Sequence, residues 1–357
     1  MPRGGRRTEV RDRPVRMRAA VLYDIDDIRI EDRPIPELRG GDLLVRTLAS
    51  GICSGDVMPW YIRRKAPLIF GHEPAGEIVA LGDPVPHDRA GVPFRIGERV
   101  FVHHHAPCFS CRACERGDYV QCATWRASKI EPGAMAEYFR VPAENLGDTL
   151  RLPANLPAEA GSLVEPLACV VKSLRRARPR AGDTIYMVGL GVMGLLHVAV
   201  ARSHGHVVFA SDFSEPRRAL AQSLGAHTFD AGSDALAQLQ AQTHGRGAEI
   251  VICGPGNAAA LDHAIAACAP GGTVVQFTPF EPGTPYTFDQ SDAYFRDLTL
   301  VASYSCGPDD TRVALGLLQK KTVTPALLGA TVTTLDQVAG AYADLRSGRS
   351  IKPIVVF

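Results

Sequence analysis

Four cysteines stand at a spacing suited to metal binding: Cys108-x2-Cys111-x2-Cys114-x7-Cys122. Three thiolates on one tight loop and a fourth shortly after can close a tetrahedron around one Zn²⁺. An all-sulfur site leaves no position open for water or substrate, so its role is structural. Gly117, between the third and fourth cysteines, lets the loop turn back sharply. The alternatives are two disulfides or four unrelated thiols.

A second group could bind a dinucleotide. Gly189-Leu190-Gly191-Val192-Met193-Gly194 follows the apolar run Ile185–Val188 and opens a helix-like segment. A glycine triplet alone says little; between a strand and a helix it says much. Gly189 permits the tight turn, Gly191 lets a pyrophosphate approach the backbone, and Gly194 allows close helix–strand packing. Val192 and Met193 belong to the helix N-terminus that faces the phosphate charge. Asp212 ends the next strand, 18 residues after Gly194. A carboxylate there accepts hydrogen bonds from the adenosine ribose hydroxyls and repels a 2′-phosphate. Arg217 is a candidate cofactor contact and, with Arg218, raises the question of NADP. Phe213 rather than an arginine follows Asp212, however, so NAD is expected and the arginines are assigned to an exposed helix face.

These groups need elements to position them. At 357 residues the chain exceeds one ordinary domain. Its 46% hydrophobic and 22% charged residues suit a globular protein with a filled core. A net charge of +1 argues against nucleic acid or membrane partners. No run approaches a membrane span or a signal-peptide core, and nine cysteines fit a reducing compartment, so a cytoplasmic location is expected. Residues 1–16 carry a local charge of +4 with few apolar side chains and are expected to be a disordered basic tail. From Met17 to about Val141 short apolar runs punctuated by Pro and Gly predict an antiparallel β domain. Strand-like runs at Thr184–Val188, Val207–Ser211, His227–Phe229, Glu249–Cys253, Thr273–Phe277 and Thr299–Ser303 alternate with helical stretches. That alternation predicts a doubly wound parallel sheet.

Cys53 in Gly51-Ile52-Cys53-Ser54-Gly55-Asp56 and the tripeptide Gly71-His72-Glu73 complete the pattern. With the cysteine loop and the glycine motif, they make the chain from Met17 to Phe357 resemble the zinc-containing medium-chain dehydrogenases, such as liver alcohol and sorbitol dehydrogenases. The resemblance implies a GroES-like catalytic domain, 17–170 with a returning 309–357, around a Rossmann NAD-binding domain, 171–308. It also implies two zinc ions per chain and a homodimer or homotetramer. Cys53 and His72 match the family's first two catalytic zinc ligands. The third is open: Glu165, in a Glu165-Pro166-Leu167 like that of the sorbitol branch; Glu73, as ligand or as holder of a zinc-bound water; or Cys169, which suits buried packing better. Asp56 falls where relatives keep a carboxylate that fixes the His72 tautomer.

The chain departs from the family at Gly55, where most relatives carry a Ser or Thr hydroxyl that contacts the substrate oxygen. Met58 stands where some relatives have a relay histidine. Either Ser54 takes over, or protons leave through Glu73, water or the substrate's own hydroxyls. Ser54 is expected to point away from the metal, because neighbours in an extended segment face opposite ways. His103-His104-His105 is assigned a structural role, whereas Trp60 and Tyr61 suit the cleft and the core equally. The function implied is NAD-linked interconversion of a secondary alcohol and a ketone on a polyol, cyclitol or aminocyclitol. The alternatives are a threonine or simple-alcohol dehydrogenase, and an idle NAD-binding protein with only the structural zinc.

Overall fold

The computed structural model describes residues 14–357. The expected basic tail lies outside the described residues as far as 13, whereas Arg16 already opens a strand, Arg16–Asp24. No helix among the described residues is long and apolar enough to cross a membrane.

The parallel sheet forms where the apolar runs alternate with helices. Its strands are β1 (Thr184–Val188), β2 (Val207–Asp212), β3 (His227–Asp230), β4 (Ala248–Cys253), β5 (Cys268–Gln276) and β6 (Thr299–Ala302). They run in the order β3-β2-β1-β4-β5-β6, all parallel. The order reverses beside β1, which opens a crevice at the strands' carboxyl ends and makes it the natural dinucleotide position of a doubly wound sheet. Ile185, Met187, Val208, Ala210, Ile250 and Ile252 fill one face of the sheet, while Tyr186, Val188, Phe209, Val251 and Cys253 fill the other. The alternation is that of a sheet buried on both sides.

A second sheet, antiparallel except where Thr331–Thr334 pairs in parallel with Pro353–Val356, carries the other half. Thr331–Thr334, Pro353–Val356, Leu43–Gly51, Pro74–Leu81, Arg99–Val102 and Thr149–Arg151 lie side by side in that order, and Tyr138–Val141 also pairs with Leu43–Gly51. The C-terminal strand thus returns to the first domain, with Ile354 opposite Gly51. The short strands between Pro and Gly are those that the rhythm before Val141 predicts.

Helix α1 (Val164–Ala177) and the later helix α3 (Pro308–Gln319) join the halves, with α2 (Val192–Ser203) following β1. The boundary expected at 170/171 falls inside α1, and that at 308/309 falls at the start of α3. Both helices bridge rather than divide. Leu163, the cap of α1, and Leu167, Val170 and Leu174 within it, at helical spacing, share one core with Ala49, Ala75 and Phe101 of the second sheet and with Ala314 and Leu318 of α3. Two arginines of α1 are engaged in this bridging. Arg175 pairs with buried Asp310 at 3.0 Å and Arg176 donates to the Ala302 carbonyl at 2.9 Å.

Candidate active site and metal centres

The cysteine loop has the shape its spacing predicts. The four sulfurs of Cys108, Cys111, Cys114 and Cys122 lie within 4.8 Å of one another, with Sγ–Sγ distances of 3.5, 3.6 and 4.0 Å for three pairs. A tetrahedron of Zn–S bonds near 2.3 Å has edges of about 3.8 Å, so these sulfurs fit the ion, and none forms a disulfide. Gly117 takes φ 76°, the left-handed turn required between the third and fourth ligands. Backbone and hydroxyl donation from Ser110 lowers the Cys108 thiol, favouring the thiolate that a metal needs.

The second cluster assembles from three loops. Cys53 ends the segment after Leu43–Gly51 and caps a 3₁₀ turn, Ser54–Val57, with its Sγ accepting from Gly55 N–H at 3.3 Å. His72 and Glu73 precede Pro74–Leu81, next to the Cys53 segment. Donor atoms of Cys53, His72 and Glu73 lie within 4.8 Å of one another. Asp56 Oδ2 sits 3.5 Å from His72 Nδ1 but makes no hydrogen bond to it. Burial raises Cys53, opposed by His72. Burial pulls His72 down, but the charges of Asp56 and Cys53 outweigh it and hold the ring well above its ordinary value. Without a cation, these donors favour their proton-bearing forms, as donors that exchange protons for a metal do.

Lys352, invisible to sequence reasoning, is the cluster's main support. It is fully buried, pairs with Glu73 Oε2 and donates to the Ile52 carbonyl at 3.1 Å. Only strand register brings it there, 279 residues from Glu73. The other carboxylate oxygen, Glu73 Oε1, is buried with no hydrogen-bond partner. An orphaned buried oxygen is costly unless a ligand completes it, and with Cys53 and His72 it makes a donor set suited to zinc. Gly51 leaves the necessary room: a methyl group there would overlap the Glu73 carboxylate and come within 2.9 Å of the Lys352 ammonium.

Glu165 stands on the first turn of α1, 5% exposed, and burial raises its carboxyl, opposed by the charge of His72. Its oxygens cluster with His103 and His104 on one side and with Cys169 and Cys306 on the other. The histidine run is therefore not merely structural. The His104 ring centroid lies 4.9 Å from that of His72, and its Nδ1 is buried without a partner. Burial, reinforced by His105, drives the His104 ring well below its ordinary value, so it stays neutral. Ser54 opens the 3₁₀ turn rather than an extended segment, and its hydroxyl has no hydrogen-bond partner among the described residues. Tyr61 takes a hydrogen bond from Lys65 and stacks edge-on with Trp60, 5.7 Å between centroids.

At the glycine motif, Gly189 takes φ 88°, and a methyl on Gly194 would overlap the Gly189 carbonyl oxygen. Gly191 caps α2 without a side chain, leaving the first-turn N–H groups of Val192, Met193 and Gly194 to a ligand. Asp212 accepts from Leu190 N–H at 2.7 Å and Ser214 N–H at 2.8 Å, fixing its carboxylate at the end of β2. Arg217 donates to the Gly348 carbonyl at 3.1 Å, and Arg218 pairs with Asp230 at 3.2 Å.

Replacing Gly51 by Ala, or Lys352 by Met, should each destabilise the fold by about 3–5 kcal/mol, the usual cost of breaking a buried pair. Because both remove one contact, the double variant should lose far less than the sum, measured by denaturant unfolding. Additive losses would show that the contact is not what Gly51 protects.

The model of the alcohol dehydrogenase GroES-like domain matches residues 39–153, and that of the zinc-binding dehydrogenases matches 192–320. The D-xylulose reductase A of Aspergillus oryzae is 29% identical over 351 residues, covering 94% of this chain and 95% of the relative. The sorbitol dehydrogenase of Bacillus subtilis is 31% identical over 271 residues, 72% of this chain and 74% of its own. A protein from Sinorhizobium meliloti 1021, assigned by class as a zinc-binding dehydrogenase and solved with NADP bound, superposes with a TM-score of 0.84. It is 26% identical and covers 96% of this chain and 99% of its own. The chain belongs to the zinc-containing medium-chain alcohol and polyol dehydrogenases, oxidoreductases that act on CH–OH groups with zinc and a nicotinamide cofactor.

Proposed function

We propose that this enzyme interconverts a secondary alcohol and a ketone on a polyhydroxylated substrate, a sugar alcohol or cyclitol, using NAD. The observation that carries the reading is the Cys53–His72–Glu73 donor set, half-buried at Cys53 and His72 and buried at Glu73, with its unpartnered Glu73 Oε1. These three residues would hold the catalytic zinc, and Cys108, Cys111, Cys114 and Cys122 the structural one. When bound, zinc polarises the substrate oxygen and the nicotinamide accepts the hydride.

The chain's own groups do the rest. Asp56 Oδ2 places a buried carboxylate 3.5 Å from His72 Nδ1, where its charge favours a proton on that nitrogen. Lys352 holds one oxygen of Glu73 and so aims the other. Neutral His104, with Nδ1 unpartnered, can accept a hydrogen bond from a substrate hydroxyl, and Glu165, raised by burial, can donate one. Two such groups beside the donor set favour a substrate with several hydroxyls over a simple alcohol. The ketose named for one relative and the polyol named for another point the same way. Gly55 and Met58 supply no relay group, so Ser54, Glu73, a water chain and the substrate's hydroxyls are the proton routes that remain.

A panel of polyols and cyclitols assayed for NADH formation tests the reading. Cys53→Ser should lower turnover by on the order of 10³-fold or more and release one zinc from a folded protein, since the loss of a Lewis acid is worth several kcal/mol. Cys111→Ser should release a different zinc and lower the melting temperature. Unchanged turnover in Cys53→Ser, or a wild type holding only the Cys111-dependent zinc, would point instead to an idle dinucleotide binder.

NAD rather than NADP is supported by Asp212, fixed at the end of β2, and by the engagement of Arg217 and Arg218 elsewhere. The NADP-bound relative makes this the reading most open to refutation. Asp212→Ser should weaken NAD by about 10- to 100-fold, matching about 1.5–3 kcal/mol for hydrogen bonds to a charged group. A wild type that prefers NADP in the same titration would overturn it.

A homodimer is supported by the edge of the parallel sheet. β6 is its last strand, with Leu300 exposed, and Tyr294 and Phe295 stand 70% and 83% exposed beside it. An unpaired apolar edge invites pairing with a second copy. Phe295→Lys should shift sedimentation toward the monomer; an unchanged dimer would place the interface elsewhere. A cytoplasmic setting is supported by nine free cysteines.

A further inference from the structure

Gly55 and Met58 carry no group that moves a proton, yet the short helix that Met58 caps, Pro59–Arg63, supplies one a turn later. Tyr61 N–H donates to the Met58 carbonyl at 3.1 Å. Lys65 follows Tyr61 by four residues, the spacing that brings side chains together on one helical face. The turn continues far enough for this, with Lys65 N–H on the Ile62 carbonyl at 2.8 Å. Lys65 Nζ stands over the phenol ring, 3.7 Å from its centroid, and donates to Tyr61 Oη. The ammonium makes no salt bridge among the described residues.

The pair faces the cleft beside the Cys53 centre. Tyr61 is half-buried, and charges from both sides act on its hydroxyl: Asp56 and Cys53 near its own helix, Glu165 on α1 and Tyr304 after β6. Burial, ahead of those charges, pushes the phenol up, so it stays protonated. The Lys65 amine feels Asp56 and Cys53 and in turn acts on His104 and His105. Lys65 is exposed, although the protein around it pulls its amine below the ordinary lysine value, opposed by Asp56 and Cys53. A hydroxyl inside and an amine at the solvent make a path with an outlet. Glu73 has none of its own: it is 1% exposed, with one oxygen held by Lys352.

We propose that Tyr61 and Lys65 form a proton exit: the Tyr61 hydroxyl takes the proton of the substrate alcohol and hands its own to the Lys65 amine, which releases it to water. The inference rests on the reading of the Cys53 centre as the place where an alcohol is oxidised. In that direction the C–H electron pair leaves as hydride to NAD, the O–H bond breaks toward Tyr61 Oη, and the carbonyl forms. Tyr61 gains one proton as it gives up another, so it is a neutral phenol before and after. Lys65 enters as the amine, leaves as the ammonium and is restored by loss of a proton to solvent. Ketone reduction runs the same route backwards.

Two conservative variants test the route in the zinc-loaded, full-length enzyme, on whichever polyol or cyclitol the wild type oxidises. Tyr61→Phe keeps the ring beneath Lys65, and Lys65→Arg keeps the cation, but neither can pass a proton on. Each should lower kcat by about a hundredfold, with KM and zinc content little changed. The double variant should fall no further, because both changes block one path. Wild-type kcat should rise with pH through the lowered Lys65 value, since only the free amine accepts a proton, and Lys65→Arg should lose that limb. Apart from turnover, competitive acetylation read by peptide mass spectrometry should find Lys65 reactive below the ordinary lysine range. Wild-type kcat in either variant, a loss confined to KM, or a Lys65 that labels only in the ordinary range would overturn the relay. A wild type that oxidises no polyol or cyclitol would instead sink the reading of the Cys53 centre, and the relay with it.

Discussion

An ion pair sealed from water cannot be left half made, and the site around Cys53 is arranged about one such pair. Glu73 and Lys352 are buried together, 1% and 0% exposed. Removing both charges in favour of apolar side chains could leave the fold as stable, because desolvating ions offsets much of their attraction. What the pair supplies is direction. One oxygen of Glu73 is committed to the ammonium, so the other is presented unpartnered toward Cys53 and His72. Gly51 is the spatial condition for this, and the antiparallel register of Pro353–Val356 on Leu43–Gly51 is the topological one.

The two cysteine-containing centres solve opposite problems with related ligands. The Cys108 loop draws all four donors from one short stretch, so its geometry is local. The Cys53 cluster draws on separate loops and relies on the sheet to bring them together. Local geometry suits a closed structural ion; donors on separate elements leave one side facing a cleft. His104 stands beside His72 with its Nδ1 buried and unpartnered, and Glu165 lies close to His104 with one oxygen accepting from Cys169.

Much of this was legible in the sequence wherever function rests on neighbours along the chain. The cysteine spacing, the glycine turn and the carboxylate of Asp212 each encode a local shape, and β1 to β6 lie within a few residues of where apolar runs place them. Long-range register was not legible. Lys352 is a single lysine before a strand, and no periodicity tells it from a solvated one. Nor do the histidines at 103–105 show in sequence which neighbours each will meet. They follow the strand Arg99–Val102, and each finds its own surroundings: Asp148 for His103, His72 for His104, and the Ser128 carbonyl for His105. Ser54 was likewise placed on an extended segment because nothing local announces a 3₁₀ turn.

The pairing of residues 52 and 73 with residue 352 also fixes an order of events during synthesis. A nascent chain emerges from its N-terminus, so Cys53, His72 and Glu73 are exposed long before the strand that steadies them exists. The Cys108 loop, by contrast, carries all its donors within one short stretch and is complete as soon as it emerges. The loop can therefore take its metal during translation, whereas the Cys53 centre matures only after the last strand has docked. Lys352 and the strand Pro353–Val356 thus act as the latch that turns a folded scaffold into a working site.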